Sequence, residues 1–109
     1  MRIATISMAT SLGMVGLLAF SPSGFAQNKS VTEGHRLVEP CARCHVIVSN
    51  GPSSWTDAPS FEAIASRPGI QRAWLAKFVQ QDHMHMLSDT YTDAQANSIA
   101  SYILSLRKK

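Results

Sequence analysis

Cysteine is scarce in this 109-residue chain: there are two, Cys41 and Cys44, and they stand three positions apart. A disulfide framework is therefore excluded, and one bridge across so small a loop would restrain the unfolded chain very little. No Gly-rich phosphate loop is present, and no turn signal lies between two alternating apolar runs. The usual marks of nucleotide-binding and hairpin folds are thus missing. No segment repeats at a fixed period. The formal charge is only +3, with no dense basic stripe interleaved with aromatics, which argues against a nucleic-acid binder. The apolar run near the start is broken by Thr10, Ser11 and two glycines and looks short for a spanning helix.

That first stretch, "MRIATISMATSLGMVGLLAFSPSGFAQNKS", has the order of an export signal. Arg2 precedes the apolar segment, Ser21-Pro22-Ser23 breaks it, and the small-residue site Gly24-Phe25-Ala26 follows. Residues 1–26 are expected to be a signal peptide cleaved after Ala26, leaving one mature domain over 27–109; the alternative is an uncleaved anchor. Export implies a compartment that tolerates disulfides, so location alone does not decide what the thiols do. It also leaves about 80 residues, which bury proportionally little surface and commonly need a staple or a bound group.

Within 27–109 the patterning is helical. A short helix is expected from 31 to 39, with Ser30 as N-cap and Glu33 completing a capping-box pattern. Pro40 limits the turn before Cys41. Residues 46–60 carry Asn-Gly-Pro, serines and a second proline, which is loop chemistry. Phe61 to Ser66 fits a short helix ended by Arg67-Pro68-Gly69, and 70–81 a longer one with Trp74, Leu75, Phe78 and Val79 as its apolar face. "DHMHMLSDTY" is polar and aperiodic. The last helix has the strongest signal: Thr92 and Gln95 form a capping box, and Ala96, Ile99, Ala100, Ile103 and Leu106 recur at helical spacing. Arg107-Lys108-Lys109 is a cationic run that suits a helix C-terminus or steers an acidic partner.

The chemistry concentrates in "CARCH", Cys41 to His45. Structural zinc needs four ligands, and the remaining candidates, His83 and His85, do not have finger spacing. A thioredoxin-like dithiol wants a strand-helix-strand unit, and strands are missing. A plain disulfide leaves His45 unexplained. Cys-x-x-Cys-His is the signature of covalent haem attachment, and it explains all three residues. Thiols at i and i+3 lie about 5 Å apart along one helical face, placed to add to two vinyl groups on one edge of a macrocycle. The adjacent imidazole then reaches the iron. Four candidates for a sixth ligand stand in "HMHM": His83, Met84, His85 and Met86.

These residues resemble small class I bacterial cytochromes c across essentially the whole of 27–109. "GHRLVEPCARCH" is similar to the family's N-terminal helix running into its haem motif. "APSFEAIASRPG" is similar to its Gly-Pro-x-Leu segment and short helix, and "HMHMLSDTYTDAQANSIASYILSL" to its ligand loop and closing helix. The resemblance implies an all-α domain of three to four short helices and long loops wrapped around one covalent haem c. The first and last helices are expected to cross, with Gly34 near Tyr102. It further implies Cys41 and Cys44 as thioether tethers, His45 as proximal ligand and Met86 as distal ligand, with Met84 as the alternative. Pro59, or alternatively Pro52, supplies the carbonyl for the imidazole Nδ1–H. Leu87, where the family has proline, and Pro40 before the first cysteine are departures. Trp74 and Phe78 are expected over the haem plane, with Trp55 and Arg67 as candidate propionate partners.

The function so implied is a periplasmic, monomeric monohaem electron carrier, not an enzyme, which docks transiently on redox protein partners such as a reductase, oxidase or dehydrogenase. No nucleic acid is involved, and no stable membrane insertion follows cleavage. The rival reading is a haem-based binder or sensor of CO, NO or peroxide with a labile distal ligand. A detached haem module of a dehydrogenase complex differs from the carrier only in its partner.

Overall fold

A computed structural model describes residues 13, 16–19, 23–81 and 91–109. Among the described residues four α-helices follow one another: α1 Ser23–Leu37, α2 Phe61–Ala65, α3 Arg72–Val79 and α4 Asp93–Ser105. A 3-10 turn, Glu39–Arg43, follows α1, and no strand occurs among the described residues. The expected all-α class with short helices and long connections is what the chain adopts.

The last helix, α4, is the centre of the fold, and α1, α2 and α3 all pack against it. Its start is fixed locally. The Thr92 hydroxyl accepts from Gln95 N–H at 3.2 Å, and Gln95 Oε1 accepts from Thr92 N–H at 3.0 Å, closing the expected capping box. Ala96, Ile99, Ala100, Tyr102 and Ile103 are buried along its inner face, whereas Leu106 is only partly covered. α1 crosses this helix at Gly34. A Cβ there would run into the Ser98 backbone carbonyl and stand 2.7 Å from Tyr102 Cβ, so only glycine permits the approach. Ser30 and Ser98 hydroxyls meet at 3.3 Å across the same crossing.

Two helices differ from expectation. α1 begins at Ser23, not near 31, and spans the position after Ala26 where cleavage is expected. Ser30 therefore lies inside the helix. Glu33 turns away from any cap to receive Arg36 Nη2 at 2.6 Å and Nε at 3.1 Å, an i,i+3 ion pair that a helix interior offers. α3 is shorter than 70–81. The Pro68-Gly69 turn, with Gly69 at φ +74°, delays its start to Arg72, and Gln80 caps its end.

α3 also presents a different face. Leu75 and Ala76 are buried and Val79 packs against the core, while Trp74 and Phe78 are 51% and 36% exposed. The spacing explains this. Leu75 and Val79 make one stripe, Trp74 and Phe78 a second, about 100° away around the axis. Only the first faces α4. The two rings stack on each other instead, with centroids 5.0 Å apart and planes 17° apart. Trp74 and Phe78, expected over the haem plane, thus form a second apolar face of α3 that does not pack against α4.

Candidate functional site

The 3-10 turn gathers the CARCH residues into one compact unit. Cys44 N–H donates to Cys41 C=O at 3.1 Å and His45 N–H to the same oxygen at 2.9 Å. Pro40 sits in the first turn, where its missing N–H costs nothing. Both cysteines are partly buried free thiols, and Cys41 packs against the hydrophobic core. Burial pushes the Cys41 thiol above its ordinary range. That is the wrong direction for a reactive dithiol, whose thiolate is stabilised by a lowered value. Among the described residues no group of three or more His, Cys, Asp or Glu side chains converges as a metal cluster would.

His45 is half-buried and its ring is held on two sides. Nδ1 lies 2.7 Å from the carbonyl oxygen of Pro59. A carbonyl only accepts, so Nδ1 carries the proton, and in the neutral ring the lone pair is left on Nε2. Phe61, at the head of α2, lies against the imidazole with centroids 5.3 Å apart and a tilt of 43°. The loop that carries Pro59 is closed at its base by Phe61 N–H donating to Val46 C=O at 2.9 Å, and Ser60 caps α2 by accepting from Ala63 N–H at 3.1 Å. Two reduced thiols and an imidazole with a free Nε2 lone pair on a single turn form a donor set that fits a covalently tethered haem.

The other expected site residues are scattered. Pro52 and Trp55 line a hollow beside His45 together with Ala42, Val46 and Val48. Trp55 is 88% exposed, and Arg67 is exposed at the turn after α2. His83, Met84, His85 and Met86 lie outside the described residues, so the distal ligand is not placed.

Four contacts around the site had no expectation attached. Tyr102 Oη donates to Ile47 C=O at 2.7 Å, tying α4 to the segment just after His45. Ser54 and Thr56 hydroxyls both donate to Cys44 C=O. His35, on α1, stacks on Tyr102 with centroids 4.8 Å apart. The serine- and threonine-rich composition of 53–56 signals side-chain-to-backbone bonding in general but no particular partner.

No protein-family model matches the chain, and no solved structure matches it. A curated relative, cytochrome c-552 of Bradyrhizobium diazoefficiens, is 39% identical over 67 residues, which cover 62% of this chain and 64% of that protein. The similarity to this relative, the Cys41-to-His45 signature and the helical fold together support a class I c-type cytochrome, with haem c as its covalent prosthetic group.

Proposed function

We propose that this chain is a single-electron carrier, exported to the periplasm, in which Cys41 and Cys44 tether one haem and His45 and Met86 ligate its iron. The observation that carries the reading is the 2.7 Å contact between His45 Nδ1 and Pro59 C=O, directly behind the two thiols. A haem held this way supplies a one-electron Fe(III)/Fe(II) couple. The chain's own residues do the rest. Pro59 fixes the tautomer and orientation of the imidazole and raises its basicity, as outer hydrogen bonds to ligating histidines do. Phe61 restrains the ring from the side, and the partly buried Cys41 anchors the attachment turn to the core.

Were Met86 to ligate the iron together with His45, a haem so held would offer a substrate no coordination position, a donor set that suits electron transfer and not catalysis. The redox partners dock transiently on a monomer, without nucleic acid, and no helix of the described residues is long and apolar enough to cross a membrane. The export signal over residues 1–26 underlies the periplasmic assignment.

The test is spectroscopic. Exported protein should give the pyridine haemochrome of one haem c per chain, a low-spin oxidised spectrum, and no rapid CO binding once reduced. Met86→Ala should open the iron to CO, and Met84→Ala should not. Rapid stoichiometric CO uptake by the unmodified protein would instead identify a ligand binder or sensor.

A further inference from the structure

Residues 53–59 hold His45 at a second point besides its ring. The Cys44 carbonyl oxygen accepts from two hydroxyls, Ser54 Oγ at 2.9 Å and Thr56 Oγ1 closer still. Each hydroxyl owns a single proton, and the two hydroxyl oxygens also lie 3.1 Å apart, within reach of each other as well as of that carbonyl. The hydroxyl oxygens are occupied in turn. Thr56 N–H donates to Ser54 Oγ at 3.2 Å, and Ala58 N–H donates to Thr56 Oγ1 at 3.3 Å.

The position of this carbonyl matters. It belongs to the Cys44–His45 peptide unit, the plane from which the imidazole hangs. Three residues beyond Thr56, Pro59 C=O takes the other end of the same side chain at Nδ1. One loop thus grips His45 by its backbone and by its ring, and the spacing between the grips is set by the hydroxyl-to-backbone bonds of 54, 56 and 58. We propose that Ser54 and Thr56 are positioning residues for the proximal ligand: they fix the rotation of the His45 ring and the strength of its bond to Pro59, and through these the reduction potential. The proposal rests on His45 as an iron ligand.

The chemistry sets the sign. A strong Nδ1–H bond to a carbonyl makes the imidazole a better donor and favours the oxidised metal. Releasing the Cys44 carbonyl lets the loop and ring drift apart, weakens that bond and raises the potential.

The experiment compares holoprotein carrying Ser54→Ala, Thr56→Val, both together, and Thr56→Ser. Readouts are a potentiometric titration and the paramagnetically shifted NMR resonances of the His45 ring. The double variant should remain low-spin and six-coordinate, show displaced His45 resonances and have a higher potential. Thr56→Ser, which keeps the hydroxyl, should return both readouts to the unmodified values. A double variant with unchanged potential and unchanged resonances overturns the proposal, whatever happens to its stability. If the double variant fails to mature, the contrast between Thr56→Val and Thr56→Ser decides on the same two readouts. An unmodified protein with no haem signature would sink the haem reading itself, whereas a normal unmodified protein beside unmoved variants sinks only the positioning role.

Discussion

The phenolic hydroxyl of Tyr102 donates a 2.7 Å hydrogen bond to the carbonyl of Ile47, joining the C-terminal part of the last helix to the segment that follows Cys41-to-His45. Fifty-five residues separate the two in sequence, so this bond is one of the links by which helix packing and site geometry are made the same event. The ring is buried between α4 and α1, with His35 stacked on it.

Tyr102→Phe keeps the packing and deletes the donor. It should cost about 1 kcal/mol at neutral pH, the net worth of such a bond. The pH dependence carries a sign. Burial raises the Tyr102 pKa above its ordinary 10.0, so the folded state holds the proton more tightly than the unfolded chain. Its stabilising contribution is complete below about pH 10 and declines as pH rises through the folded value. Urea midpoints followed from neutral to alkaline pH should therefore converge for the two proteins. A gap that widens with pH would contradict this assignment.

Gly34→Ala should be among the most damaging single changes. Alanine normally favours a helix interior over glycine by about 1 kcal/mol. Here the added methyl meets the Ser98 backbone and stands 2.7 Å from Tyr102 Cβ, neither of which is a flexible side-chain end. The overpacking cost of about 3 kcal/mol outweighs the propensity gain. Denaturant unfolding of the holoprotein measures the net loss. A neutral or stabilising result would mean that α1 and α4 do not cross at this point.

The contrast between these two residues shows what was legible in the chain. The capping box of Thr92 and Gln95 and the apolar recurrence along α4 are local signals, and the helix formed where they placed it. The pattern at Ser30 and Glu33 looked equivalent but lies within a longer α1, because the same residue types also serve a helix interior once Arg36 is available to Glu33. On α3 the apolar stripe was visible in sequence, but which of its two halves meets α4 is a matter of rotation that composition does not encode. The compact unit of Cys41 to His45 was legible because its residues are contiguous. The hydroxyls of Ser54 and Thr56 were not, since they reach Cys44 across an irregular loop with no period to read.

Arg107 provides a third test, because the cationic C-terminal run admits two uses. Its Nε donates to Ala65 C=O at 2.8 Å and its Nη2 to Ile70 C=O at 3.2 Å, clasping the end of α2 and the approach to α3. Lys108 N–H meets Ser66 Oγ at 3.3 Å, and Lys108 Nζ lies 3.6 Å from Glu62. Lysine has no fork with which to reach two carbonyls, so Arg107→Lys should cost about 1 kcal/mol despite keeping the charge. Lys109→Ala, at the exposed terminus, should change stability by less than about 0.5 kcal/mol. Equal unfolding midpoints for Arg107→Lys and the unmodified protein would return the whole run to a role in partner steering.

The dependence of folding on the tethered group follows from the size of the core. Among the described residues the buried apolar set comprises ten side chains, of which Ala65, Ala76, Ala96 and Ala100 contribute a methyl each. The larger members, Val38, Phe61, Leu75, Ile99, Tyr102 and Ile103, are each almost fully enclosed. A domain of about 80 residues buries proportionally little apolar surface and commonly needs a staple or a bound group. A tethered group is carried by the folded and the unfolded chain alike, so it stabilises through the apolar contacts and ligand bonds that it makes only when the chain is folded. Exported protein with Cys41→Ser and Cys44→Ser should consequently keep partial helicity in the far ultraviolet yet lack a cooperative thermal transition, while the unmodified holoprotein melts sharply. Calorimetry on the two preparations decides the matter. A haem-free double variant that unfolds cooperatively within a few degrees of the holoprotein would show that the four helices are self-sufficient and that the prosthetic group is cargo, not scaffold.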